Sequence, residues 1–148
     1  MINNIKNIIY QKKLLPNIMV TEIIKTRTAK IWQDEQGIVH TVVNNDAELT
    51  LDDAIENIEA IKNITQKLPV AVLSDIRNIS SVSKEHRNYF SSPNATEVIF
   101  AGAMLIKSPL SKVLGNVFLK INKPPYKGQL FTSESEALEW LRNLHFKL

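Results

Sequence analysis

The sequence predicts an α/β domain: a mixed, mostly parallel five-stranded sheet with an antiparallel edge strand and four helices, in the order ββαβαβαβα. Three observations predict it. A β-branched hairpin opens the domain over residues 27–43, amphipathic helical stretches then alternate with short apolar runs, and cap and turn residues sit at the boundaries between them. A hairpin followed by alternating helices and strands calls for a parallel sheet that carries an antiparallel strand at its edge.

The hairpin is written in Arg27 to Gln33, which includes Ile31 and Trp32, and in Ile38 to Val43, with the turn Asp34-Glu35-Gln36-Gly37 between them. Thr50 followed by Asp53 resembles a capping box that opens the first helix. Leu51, Ala54, Ile55, Ile58, Ile61 and Ile64 form its expected apolar face, while Asp52, Asp53, Glu56, Glu59 and Lys62 are expected in solvent. Pro69 stops this helix, and Val70 to Leu73 reads as a strand buried on both faces. Ser83 caps a short helix through Tyr89 and Phe90, and Val98 to Ile106 is the next buried strand, with Gly102 where another group can approach closely. Ser108 before Pro109 opens a helix whose stripe is Leu110, Val113, Leu114, Val117, Phe118 and Ile121. Gln129 to Phe131 is a last strand, and Ser133 with Glu136 caps the final helix, which carries Ala137, Leu138, Leu141 and Leu144.

One compact domain fits 148 residues, so residues 19–148 are assigned to it and residues 1–18 to an N-terminal arm or extension. In the arm Ile2, Ile5, Ile8, Ile9, Leu14 and Leu15 follow a helical spacing, and Pro16 ends the pattern. Such a stretch serves a partner or a membrane surface, or packs on its own domain. The longest apolar run, Val98 to Ile106, is about half of the roughly 20 residues a membrane-spanning helix needs, so no transmembrane segment is expected. With no cysteine there is no disulfide, iron–sulfur cluster or thiolate zinc site, and the chain reads as cytoplasmic. Net charge is +5 over residues 1–30, −7 over 31–66 and +5 over 67–148. These blocks alternate in sign, and without a sustained basic stripe nucleic acid is not an expected partner.

The motifs of common chemistries are missing. Gly37, Gly102, Gly115 and Gly128 are too scattered for a phosphate-binding loop or a nucleophile elbow. His40, His86 and His145 lack a histidine four positions on, so no metal site and no cofactor are expected. A hydrolytic triad would have to draw on Asp75, His86 and one of Ser74, Ser80, Ser81, Ser83, Ser91 and Ser92, which are equally eligible by spacing. No catalytic residue is therefore assigned.

The ββαβαβαβα order, centred on Ala71-Val72-Leu73-Ser74-Asp75-Ile76-Arg77-Asn78-Ile79, resembles STAS domains, including the SpoIIAA-like anti-sigma-factor antagonists. The stretches Ser108 to Asn116, Asn122 to Tyr126 and Leu130 to Leu141 are similar to those of a bacterial SpoIIAA-like branch of unknown function, and the likeness covers about residues 22–146. The resemblance implies a small non-enzymatic module that binds protein partners and sometimes nucleotides; the CRAL-TRIO lipid carriers have a related architecture. Where phosphorylated antagonists carry Asp-Ser-Ser-Gly, this chain reads Ser83-Lys84-Glu85-His86, which puts a phosphorylation switch of that kind in doubt and leaves Ser83 as the candidate.

In open α/β sheets ligands gather beyond the carboxyl ends of the parallel strands. The residues expected there are Asp75, Arg77, Asn78, Arg87, Lys107, Ser108, Ser111, Asn116 and Lys123, a basic and hydroxyl-rich set suited to a small anion or an acidic partner surface. The alternative is that Arg77 pairs with Asp75 or with an acid of the first helix and Ser108 only caps its helix. The leading expectation is thus a non-catalytic STAS-like regulatory or protein-interaction domain, acting on a protein partner or as a homo-oligomer. A lipid carrier with a cleft lined by Tyr89, Phe90, Val113, Val117 and Phe118 stands second, and a small hydrolase third.

Overall fold

Hydrogen bonding along the β-branched segments builds a six-stranded sheet in the order 24–25, 29–33, 39–43, 70–75, 99–105 and 127–131. The computed structural model describes residues 21–108 and 126–146. The strands are β1 (Ile24–Lys25), β2 (Ala29–Gln33), β3 (Val39–Val43), β5 (Val70–Asp75), β7 (Ile99–Leu105) and β8 (Lys127–Phe131), while β4 (Glu48–Leu49) and β6 (Ser81–Val82) pair separately. β1, β2 and β3 are antiparallel, and β3, β5, β7 and β8 run parallel. All five expected strands are present. The sheet differs from the expected five-stranded one by the two-residue β1 at its edge, too short to show any alternation in sequence.

The described helices are α1 (Leu51–Thr65), α2 (Lys84–Tyr89), α3 (Pro93–Thr96) and α4 (Glu134–Phe146). The helix expected from Pro109 and the arm at 1–18 lie outside the described residues. Successive residues of a strand point to opposite faces, so β5 supplies two cores. Val70 and Val72 join Ile31, Val39, Ile58, Ile61 and Ile99 on the α1 side; Ala71 and Leu73 join Ala101, Ala103, Leu105, Ala137 and Leu141 on the α4 side. Gly102 is where a close approach does occur: a Cβ there would stand 3.3 Å from Cε2 of the Tyr126 ring.

The capping box at Thr50 and Asp53 forms as expected. Asp53, however, is not on a solvated face. Its side chain is 1% exposed, and it takes two hydrogen bonds from Arg27, with Nε to Oδ1 at 2.7 Å, besides those from the Thr50 backbone N–H and hydroxyl. Asn57, one turn on, bonds Thr26 and Thr28. These polar ties to the turn before β2 settle the helix with Asp53 and Asn57 inward, and Leu51 and Ile55, expected in the apolar stripe, are left exposed at its edge. α1 ends at Gln66 and Lys67, both left-handed, and their N–H groups return to the Lys62 carbonyl.

Candidate functional site

The parallel strands β3, β5 and β7 end on one side of the sheet, where Val42 lies beside Asp75 and Asp75 beside Leu105. Beyond β5 the chain turns at Ile76-Arg77-Asn78, held by Ile76 N–H to the Leu105 carbonyl at 3.1 Å and by Asp46 N–H to the Asn78 carbonyl at 2.8 Å. A small cleft of about 90 Å³ opens there on the α4 side, between Trp32 and His40, the strand ends Val42, Asp75 and Leu105, and Glu134 of α4. Trp32 and His40 are cross-strand partners whose rings stack at 5.0 Å and 7°, and His40 Nε2 lies 2.8 Å from Asp34 Oδ2. Burial pushes the Asp34 carboxyl up, but the His40 hydrogen bond and the N–H groups of Ile38 and Gln36 outweigh it and hold the acid below its ordinary range.

Arg77 and Asp75 form a bidentate pair, Nε to Oδ1 at 3.0 Å and Nη2 to Oδ2 at 2.7 Å, and the Arg77 backbone N–H also reaches Oδ1. The guanidinium is 42% exposed and the carboxylate mostly covered. Burial raises the Asp75 pKa, while the Arg77 hydrogen bonds and charge lower it, with a net shift downward. The hydrogen bond to Asp75 and the charges of Asp75 and Glu134 hold Arg77 protonated.

Of the residues expected from sequence, Asp75, Arg77 and Asn78 come together on this rim, with Asn78 exposed. Lys107 is exposed two residues past β7, and Ser108 follows it, half-buried. Arg87 sits on α2, which packs against α1. Ser111, Asn116 and Lys123 lie outside the described residues. Ser83 caps α2 by accepting from the His86 N–H at 3.0 Å. His86 is 8% exposed with its ring against Phe90, and burial pushes its pKa down to about 4 despite the nearby Asp53 charge. Asp75 gives both carboxylate oxygens to Arg77, and Ser74 Oγ accepts from Thr41 at 3.0 Å. Among the described residues no hydrogen bond joins His86 to Asp75. No group of three or more metal-ligating side chains occurs among the described residues, and none of the described helices is long and apolar enough to cross a membrane.

Sequence reasoning missed the pair between exposed Arg27 and buried Asp53 and the Trp32–His40–Asp34 group. The turn Asp34-Glu35-Gln36-Gly37 did carry a signal for the second, since a hairpin that short fixes which residues face one another across β2 and β3.

The family model for a domain of unknown function, DUF7793, matches residues 31–145, from β2 into α4. The chain belongs to this family. The DUF7793 match takes in Asp75, Arg77, Lys107 and Glu134 and leaves residues 1–30 outside. No curated protein matches the sequence. Among solved structures, an uncharacterized protein of the DUF3478 family with a SpoIIAA-like fold, from Shewanella loihica PV-4, is similar at a TM-score of 0.51. The identity is 16%, over 82% of this chain and 91% of that one, a likeness that shows the fold alone. The DUF7793 chain thus has a SpoIIAA-like fold, as its sequence resemblance implied.

Proposed function

We propose that this chain is a non-catalytic interaction domain that binds a protein partner, or a second copy of itself, through the rim beyond β3, β5 and β7, with Arg77 receiving an acidic group. Arg77 does pair with Asp75, as the alternative reading held, and the observation that supports a binding role is that its side chain stays 42% exposed in that pair. A guanidinium has five N–H donors in a fixed plane. Asp75 occupies one on Nε and one on Nη2, which fixes the plane and leaves three for an incoming carboxylate or phosphate. Exposed Lys107 adds positive charge on the neighbouring strand end. A cytoplasmic setting suits a chain without cysteine.

At about 90 Å³ the cleft at the rim falls well short of the roughly 300–1,000 Å³ of pockets that enclose a small molecule, which supports surface contact over enclosure at this place. In the alternative carrier cleft, Tyr89 and Phe90 pack on the α1-side core. Its other three residues, Val113, Val117 and Phe118, lie outside the described residues. Titrating the isotope-labelled protein with inorganic phosphate and with a glutamate-rich peptide tests the reading. Amide shifts centred on Arg77, Asn78 and Lys107, weakened in Arg77→Lys and Ser108→Ala variants, are expected. Shifts that ignore both substitutions, or no shifts at all, would remove Arg77 as the anchor.

A further inference from the structure

We propose that the exposed side of α1 is a docking surface for a basic amphipathic helix of a partner protein, separate from the rim that carries Arg77. With about 3.6 residues per turn, Leu51, Asp52, Ile55 and Glu59 share an arc of about 100° on α1. Leu51 and Ile55 stand one turn apart, each 38% exposed, and among the described large apolar residues only Ile23 is more open. The anchors of the helix leave them there. Asp53 and Asn57 are held inward by Arg27, Thr26 and Thr28, so two aliphatic side chains of the helix's own apolar stripe stay in water. Their open area forgoes stabilisation that a partner's apolar side chains supply.

Charge selects the occupant. Glu48, Asp52, Glu56 and Glu59 are exposed on or beside this arc, and Lys62, the one base of α1, already meets Glu59 at 3.5 Å. Among the described residues no base pairs with Asp52. Residues 31–66 as a whole carry a net charge of −7. A surface of this sign repels nucleic acid, an anionic membrane and a second copy presenting the same face, and it attracts lysine and arginine. Apolar residues at i and i+4 of a facing helix form the same kind of ridge as Leu51 and Ile55, so the two rows interdigitate. From Leu51 to Glu59 the helix rises about 12 Å, which about two turns of such a partner cover.

The test titrates the isotope-labelled full chain with a helical peptide of leucine, lysine and alanine, about 15 residues long, whose leucines at i and i+4 are flanked by lysines. Amide shifts centred on residues 51–59 are expected, and none from a peptide with glutamate in place of lysine. Ile55→Ser should weaken binding about tenfold, and Asp52→Asn combined with Glu59→Gln about fivefold. Should Ile55→Ser disturb folding, Leu51→Ser at the exposed start of the helix gives the same comparison. Inorganic phosphate, the probe of the rim, should not displace the peptide at constant ionic strength; displacement would put the peptide on the rim and overturn the proposal, while a failure of phosphate to bind at all leaves it standing. No shifts, shifts centred elsewhere, or binding that the charge substitutions weaken and the apolar ones do not, would overturn it too. So would shifts in α1 that grow with protein concentration without peptide, in favour of a second copy.

Discussion

Replacing Asp53 with Asn separates the charge of this carboxylate from its shape. Asn keeps an oxygen for the Thr50 N–H but loses the ion pair with Arg27 and one acceptor. The Asp53 pKa is held down to about 2 from 3.8, with the Arg27 hydrogen bonds as the largest cause and the Thr50 bonds adding to them. At 1.36 kcal/mol per pKa unit, and with the Arg27 partner open to solvent, this is at most about 2 kcal/mol of stability near neutral pH. A depressed carboxylate pKa gives stability that is fully present above the unfolded value and disappears as pH falls through the folded one. Urea unfolding of both proteins at a series of pH values from 6 to 2 is the assay. The parent should exceed Asp53→Asn by up to about 2 kcal/mol at pH 6, or roughly 4–8 °C in Tm, and the gap should nearly close by pH 2. A constant gap would mean that packing rather than charge is lost; no gap at pH 6 would refute the argument.

His86 should behave in the opposite part of the pH range. With a folded pKa of about 4 it stays neutral at pH 7, and stability should fall between pH 6.5 and 4 as the unfolded chain takes up its proton; NMR titration of its ring should show no protonation above pH 5. Gln66 at φ 54° carries a left-handed strain that glycine avoids, so Gln66→Gly should raise stability by up to about 1 kcal/mol in chemical denaturation. Gly102→Val should cost about 1–3 kcal/mol by forcing the Tyr126 ring away, and Gly102→Ala less, both read by thermal melts.

Strand and helix positions were legible because their signals are local and repeated. Val70 to Leu73 is apolar throughout because β5 is buried on both faces, and Ser83 and Thr50 announced helix starts through caps that do form. β1, β4 and β6, two residues each, have no period to read. The burial of Asp53 was hidden because its partner lies 26 residues away on another element, and a helical wheel gives the acid the same place whether it meets water or an arginine. For the candidate site the rule about strand ends found Asp75 and Arg77. Trp32 and His40 enter it from β2 and β3, and only the register of the hairpin puts them beside the end of β5.

Native mass spectrometry of the protein taken gently from its own cells tests the interaction reading most directly. The chain is predicted to arrive with a protein partner or a second copy, and the Arg77→Lys variant to arrive mostly alone. A monomer carrying a lipid or another apolar small molecule in both proteins would contradict it.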